Sequence, residues 1–422
     1  MMTSHSPFAD ADFRRWFAAE TLLTVSMSTE LALSLMLIDV SGSIALSGAL
    51  ASAISAVTLV CGVVGGGLAD ARNRRRIIRR CLWASILSMA ALLAALLAHH
   101  MGAPIAAGAL TFLIVASAAV VAGAEALADP SMDAALKELI EPAQYPRAMS
   151  AAQARTSLVS LGGAPATGAL YGVSPFLPFV LRLLCDSSFL VLLKGIRRTF
   201  EPPRTEEGRL PLSVRSFLAS YREGLGWVFS DSVVRTVVVC APLVNLMVFT
   251  AGSWVVYSMS ARDASPSLIG LVSMSFAVGT LIGSAFTPWL TDNVPSGWLA
   301  IAGLSWMALT LLAIFLFGVD PVVLSVLSCA CMLPSPSIGA GLFAHVFRRT
   351  PSELQGRTLG VFTLMNGIAT VSSPAIAAVA VACDGSLVLG VAVTALGVLG
   401  ILALVSSRSV RGLAPLKEVG SE

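Results

Sequence analysis

Two stretches half a chain apart carry one pattern: EPAQYPRAMSAAQARTSLVSLGGAPATGA (141–169) and TPSELQGRTLGVFTLMNGIATVSSPAIAA (350–378). Pro142 meets Pro351 and Pro165 meets Pro374, both at an offset of 209 in a chain of 422 residues. A weaker echo sets GGLAD, ending at Asp70, over PWLTD, ending at Asp292. The chain therefore reads as two tandem halves. Its composition is 56% hydrophobic and 12% charged, with mean hydropathy +0.84, where soluble proteins have about 45–50% and about 25%. Apolar runs of about 20 residues, the length that crosses a bilayer core, recur from Phe13 to Val405.

Cutting at charge clusters and at Gly, Pro and Ser breaks predicts twelve spans: 16–38, 44–68, 77–98, 104–127, 148–172, 176–196, 232–258, 267–290, 297–318, 321–347, 358–382 and 386–407. The expected class is an all-α membrane protein with two parallel six-helix repeats, an architecture of secondary transporters whose substrate site lies near the midplane at the repeat interface. The expected division is a bundle at 1–196, a linker at 197–230 and a bundle at 231–422. Of 27 Lys and Arg, all but Arg155 and Arg182 inside spans and Arg262 in a far loop fall on one side. By the positive-inside rule that side is cytoplasmic, and both termini with it. The opening MMTSHSPFADADFRRW has no apolar run ahead of its arginine pair, so no cleavable leader is expected. Within the loop 129–147, Met132, Leu136 and Leu139 recur at helical spacing opposite Asp133 and Lys137. This predicts a short helix at the membrane surface.

Net charge +3 gives no footprint for nucleic acid, and seven cysteines mostly inside apolar runs make no disulfide or zinc framework. Lys137, Lys194 and Lys417 each follow a Leu, so no phosphate-cradling P-loop exists. Four histidines lack metal-ligand spacing. Neither cofactor nor metal is expected, and an enzyme or receptor is a distant alternative.

Between spans 2 and 3 lies GGLADARNRRR (66–76), which resembles the G-x-L-A-D-R-x-G-R-[KR] signature of the major facilitator superfamily. Gly66, Leu68, Ala69, Asp70, Arg74 and Arg75 match; Ala71 and Asn73 depart, Asn73 being a residue that tolerates the left-handed turn. ADPSMDAALKELIEPAQYPRAMSAAQ (128–153), GGAPATGALYG (162–172), Asp186-Ser-Ser-Phe-Leu and PSELQGR (351–357) are similar to the drug and siderophore exporter branch, which includes enterobactin and macrolide efflux proteins. The resemblance implies a proton-coupled antiporter in the bacterial inner membrane, monomeric, exporting an amphipathic small molecule. An importer of the same fold is the alternative. It also implies that Gly66, Asp70, Arg74 and Arg75 form a conformational switch, with Asp70 near the amino end of span 11 and Arg74 paired with Asp129 or Glu125.

Ionisable side chains inside a membrane are costly and point to function. Glu30 sits mid-span with Ser26 and Ser34 one turn either side, and is expected to carry protons, with Arg155 facing either Glu30 or Glu125; Glu20 and Glu125 are the other carboxylate candidates. Arg182 and Asp186, four apart in span 6, are expected to pair along one helix face. The second half offers Asn245 and Asn366, with Phe249, Tyr257, Phe362 and Met365 as aromatic and Met surface for cargo. Pro334-Ser-Pro336 predicts a break in span 10.

Overall fold

The structure, a computed structural model, describes residues 7–141, 144–198, 200 and 214–419. Among them the chain is helical without strands. The first half contributes α1 (Ala11–Met27), α2 (Glu30–Ser41), α3 (Ile44–Ala71), α4 (Arg74–His100), α5 (Ala107–Leu139), α6 (Tyr145–Val173) and α7 (Leu177–Gly195). After α8 (Val214–Ser230), the second half contributes α9 (Ser232–Ser260), α10 (Pro266–Asn293), α11 (Ser296–Phe317), α12 (Pro321–Met332), α13 (Ser335–Arg349), α14 (Ser352–Ala382) and α15 (Ser386–Ser406), then short α16 (Arg408–Arg411) and α17 (Leu416–Val419).

Counting α1 with α2 and α12 with α13, ten stretches among the described residues are long and apolar enough to cross a bilayer. Helices α6 and α7 occupy the extents expected for spans five and six but are less apolar: the nineteen-residue α7 carries Arg182, Asp186 and Lys194. The count of twelve thus rests on the sequence reading.

Two compact units emerge. One comprises Met1–Ser43, Ala53–Leu212 and Ser265–Gly270; the other comprises Ile44–Ser52, Ser213–Ala264 and Leu271–Glu422. In the first, α1 packs on α7, α4 on α5 and α7, and α2 on α5 and α6. Its core gathers Phe13, Trp16, Ile78, Phe189, Leu193 and Phe200. In the second, α14 packs on α9 and α8, and α11 on α15, α12 and α13. Of the expected linker, Thr199 and residues 201–213 lie outside the described residues, as do Pro142 and Ala143. The amphipathic stretch after them forms α8, where Tyr221 donates to the Gly360 carbonyl at 3.0 Å and Trp227 Nε1 to Thr350 Oγ1 at 3.3 Å.

The separate surface helix expected in the loop 129–147 is instead the continuation of α5, which runs through Pro130 to Leu139. Met132, Leu136 and Leu139 join the unit's own core beside Phe13 and Trp16 rather than facing headgroups. An amphipathic stripe specifies burial; it does not say against what.

Candidate polar network inside the first unit

The first span is broken. α1 ends at Met27 and α2 begins at Glu30, with Ser28 and Thr29 between them. No Pro or Gly causes the interruption, so its freed backbone groups must be met from outside. Locally, Ser28 Oγ donates to the Val25 carbonyl at 2.6 Å and Thr29 Oγ1 to the Ser26 carbonyl at 2.7 Å. From α6, Thr167 Oγ1 donates to the Ser28 carbonyl at 3.0 Å. From α7, Arg182 Nη1 reaches the Ser26 carbonyl and Thr29 Oγ1, both at 3.4 Å. Hydroxyl and guanidinium groups thus supplement the backbone bonds that remain at the break, Ser28 N to the Thr24 and Val25 carbonyls and Thr29 N to the Ser26 carbonyl, each at 3.2 Å, as non-helical backbone at membrane depth requires.

Gly163 lets α6 come this close. A Cβ there would stand 2.5 Å from Ser28 Cβ, an atom that cannot move without its backbone. Gly163→Ala gains about 1 kcal/mol of helix propensity against an overpacking cost of about 1–3 kcal/mol. We expect a lowered unfolding midpoint in detergent, restored by adding Ser28→Gly. A midpoint equal to wild type in the single variant would remove the close approach from the argument.

Six charged groups surround the break, Glu20, Glu30, Glu125, Arg155, Arg182 and Asp186, and their partners differ from those expected. Arg155 pairs with Glu20 at 2.8 Å, not with Glu30, and its guanidinium lies 5.2 Å from the Phe17 ring centroid. Arg182 pairs with Glu125 on α5. The expected Arg182–Asp186 pairing is replaced: Asp186 accepts the hydroxyls of Ser26 and Ser85, each at 2.7 Å. Arg182 and Asp186 lie one turn apart on α7, but Arg182 projects toward α5 and the break, whereas Asp186 bridges α1 and α4. A small cavity beside them is lined by Glu125, Asp186, Ser85 and Cys81.

Glu30 itself is exposed, at the first turn of α2, where the helix dipole favours a negative charge. Among the described residues its carboxyl takes part in no hydrogen bond or ion pair. Arg182 is the cation whose field reaches it. Ser26 is fully buried and bound to Asp186, which removes it from any cargo surface; Ser34 is half-buried on α2. Ser34 stands one turn beyond Glu30 on α2 as expected, whereas Ser26 is separated from Glu30 by the break.

The GGLADARNRRR segment is the α3–α4 corner. Asn73 does not adopt the left-handed conformation: at φ −62° and ψ 112° it is the N-cap of α4, accepting from Arg76 N at 3.1 Å. Arg74 pairs with Glu138, neither Asp129 nor Glu125, and donates from Nε to the Ala69 carbonyl at 3.2 Å. Arg75 donates to the Leu193 carbonyl at 2.7 Å. Gly65, not Gly66, makes the close approach: a Cβ there would meet the Ala126 and Leu127 carbonyls under 3.0 Å, whereas Gly66 has open space. The Asp70 side chain lies outside the described residues.

In the second unit, Asn245 Nδ2 donates to Asn366 Oδ1 at 2.5 Å, joining α9 to α14. Phe249 is exposed; Tyr257 is buried, which takes it off any cargo-facing surface. Phe362 stacks edge-on against Phe343 at 4.7 Å, and with Met365 packs on the unit's core. The break in span 10 falls at Leu333–Pro334, where the proline pair places it. Thr29 and Ser85 carry no sequence signal; Thr167 and Glu138 sit in segments the sequence marks, GGAPATGALYG (162–172) and ADPSMDAALKELIEPAQYPRAMSAAQ (128–153).

No family model and no curated protein matches the sequence. Solved structures do match. A bacterial homologue of the iron transporter ferroportin, in an inward-facing state, superposes with a TM-score of 0.75 at 14% identity, over 93% of this chain and 97% of that one. A peptide transporter, POT, gives 0.69 at 15% identity over 95% of both chains. The nucleoside transporter NupG gives 0.67 at 10% over 93% and 98%. The shared fold is that of the major facilitator type, a multi-pass helical membrane architecture.

Proposed function

We propose that the chain is a secondary active transporter that exports an amphipathic small molecule, such as a drug, antibiotic, siderophore or secondary metabolite, in exchange for protons. The observation that carries the reading is Glu30: an exposed mid-span carboxylate at the head of a broken helix, free of partners among the described residues while Glu20 and Glu125 each hold an arginine. An intramembrane carboxylate of this kind serves a proton or a cation. Charged, Glu30 attracts Arg182 or a cationic cargo; protonated, it releases either. Cargo and proton then compete for one group, which is the requirement of antiport. The neighbours in fold are described as transporters of iron, peptides and nucleosides, so the fold supports transport and leaves cargo to the residues. Exposed Phe249 with half-buried Phe362 and Met365 suits an aromatic, partly apolar cargo.

The Arg74–Glu138 pair and the Gly66–Arg75 corner belong, in this reading, to the switch between states. The membrane is the bacterial inner membrane, with both termini cytoplasmic and the chain acting as a monomer. The test is efflux of ethidium, an aromatic cation, from preloaded energised cells. Cells producing the chain should lose dye faster than controls, and collapsing the proton gradient should abolish the difference. Faster accumulation instead would make it an importer.

A further inference from the structure

The sequence between Asp70 and Glu125 contains no acidic residue, yet six arginines stand in its first ten positions. Two of the six are accounted for: Arg74 turns inward to Glu138, and Arg75 holds the Leu193 carbonyl. Arg76, Arg79 and Arg80 are exposed. Among the described residues their side chains make no hydrogen bond or ion pair.

Their placement on α4 is regular. The buried side of the helix carries Arg74, Ile78, Leu82, Ser85, Ile86 and Met89. At about 100° per residue, Arg76, Arg80, Trp83 and Leu87 fall on the opposite side and Arg79 on its flank beside Ile86, and Trp83 and Leu87 are 45% and 63% exposed. α4 is long and apolar enough to span a bilayer, and as a span it would turn that exposed side to lipid. From Arg76 to Leu87 the helix rises about 16 Å, the depth of one leaflet of a core of about 30 Å. The order along it is guanidinium, then an interfacial indole, then an aliphatic chain, which is the order of groups in a phospholipid.

The charge needs an anion. Arg76, Arg79 and Arg80 lie in the first two turns of α4, the end where the helix dipole is positive and cations are disfavoured. Among the described residues the neighbouring ends of α5 and α7 add no compensation: on α7, Lys194 is exposed, and Glu138 of α5 is taken by Arg74. Guanidinium groups match phosphate oxygens through paired N–H donors.

We propose that this face of α4 binds the phosphate headgroup of an anionic phospholipid through Arg76, Arg79 and Arg80, with an acyl chain along Trp83 and Leu87. On the positive-inside orientation the leaflet is the cytoplasmic one. The site is independent of what the protein carries.

The probe is phosphatidylglycerol, offered with phosphatidylcholine of equal chain length in nanodiscs, and the readout is lipid retained by the protein in native mass spectrometry. Wild type should retain phosphatidylglycerol preferentially. Each basic side chain near an anionic surface contributes about fivefold, so Arg76→Gln/Arg79→Gln/Arg80→Gln should lower the preference on the order of a hundredfold. The charge-matched control Arg222→Gln/Arg408→Gln/Lys417→Gln, on exposed residues elsewhere, should behave as wild type. The unfolding midpoint in phosphatidylcholine alone checks that the variant folds, and Arg80→Gln, expected to lose about fivefold, serves if the triple variant does not. Equal retention of the two lipids by wild type, undiminished preference in the arginine variants, or an equal loss in the control would overturn the site.

Discussion

Replacing Arg182 by Met is expected to cost about 3–5 kcal/mol of unfolding free energy, the range for removing one partner of a buried ion pair. The pair is well enclosed, with side-chain exposures of 9% for Arg182 and 16% for Glu125. Loss of the guanidinium leaves the Glu125 carboxyl without its counter-charge, and the Ser26 carbonyl and Thr29 hydroxyl at the break without their α7 donor. Those two contacts are long, so most of the cost belongs to Glu125. Adding Glu125→Gln should therefore recover most of the loss, and the double-mutant cycle should give a coupling energy of about 3 kcal/mol or more, at or above the upper end of the range for contacting residues. Thermal unfolding in lipid nanodiscs reads both numbers. If Arg182→Met unfolds within about 0.5 kcal/mol of wild type, the ordinary range for surface changes, the pair is not structural. Asp186→Asn makes a second contrast: its Oδ1 keeps an acceptor for one of the Ser26 and Ser85 hydroxyls and its Nδ2 donates to the oxygen of the other, so it should cost less than the arginine change.

These partners show where sequence reading stops. Apolar length, the Pro165/Pro374 repeat and the Pro334–Pro336 break are local signals, and each survives in the helices that contain it: α6, α14 and the α12–α13 junction. The break in the first span has no such signal. Ser28 and Thr29 are compatible with helix, and the interruption persists because Thr167 and Arg182, more than 130 residues away, take up its backbone groups. The ion pairs were misassigned for a related reason. Spacing on one helix made Arg182 and Asp186 natural partners, but a buried arginine pairs with the carboxylate that tertiary packing presents, and α5 presents Glu125. By the same logic Arg155 pairs with Glu20 and with neither Glu30 nor Glu125. The outcome sharpened the candidate site: with Arg155 and Arg182 each engaged, Glu30 is left as the uncommitted carboxylate beside the break.

Glu30→Gln is expected to abolish proton-driven efflux while leaving the protein folded. Glutamine has the shape of the protonated acid and keeps its hydrogen-bonding capacity, and no ion pair among the described residues is broken by the change, so stability should stay within the about 0.5 kcal/mol range of surface substitutions. The charge that competes with cargo and gains the proton is gone. In proteoliposomes, dye-dependent proton flux should fall to the level of protein-free vesicles, and ethidium efflux should no longer respond to a pH gradient. Counterflow of labelled against unlabelled dye, which needs no net proton movement, should continue, with the pH dependence of its rate lost. Glu20→Gln gives the contrasting result. It leaves Arg155 without its carboxylate, so it should lower the unfolding midpoint and reduce transport in proportion to the folded protein lost, with coupling intact in what remains. Proton flux through Glu30→Gln equal to wild type would assign the carrier elsewhere, and Glu125, which pairs with Arg182, the cation whose field reaches Glu30, is the next group to replace.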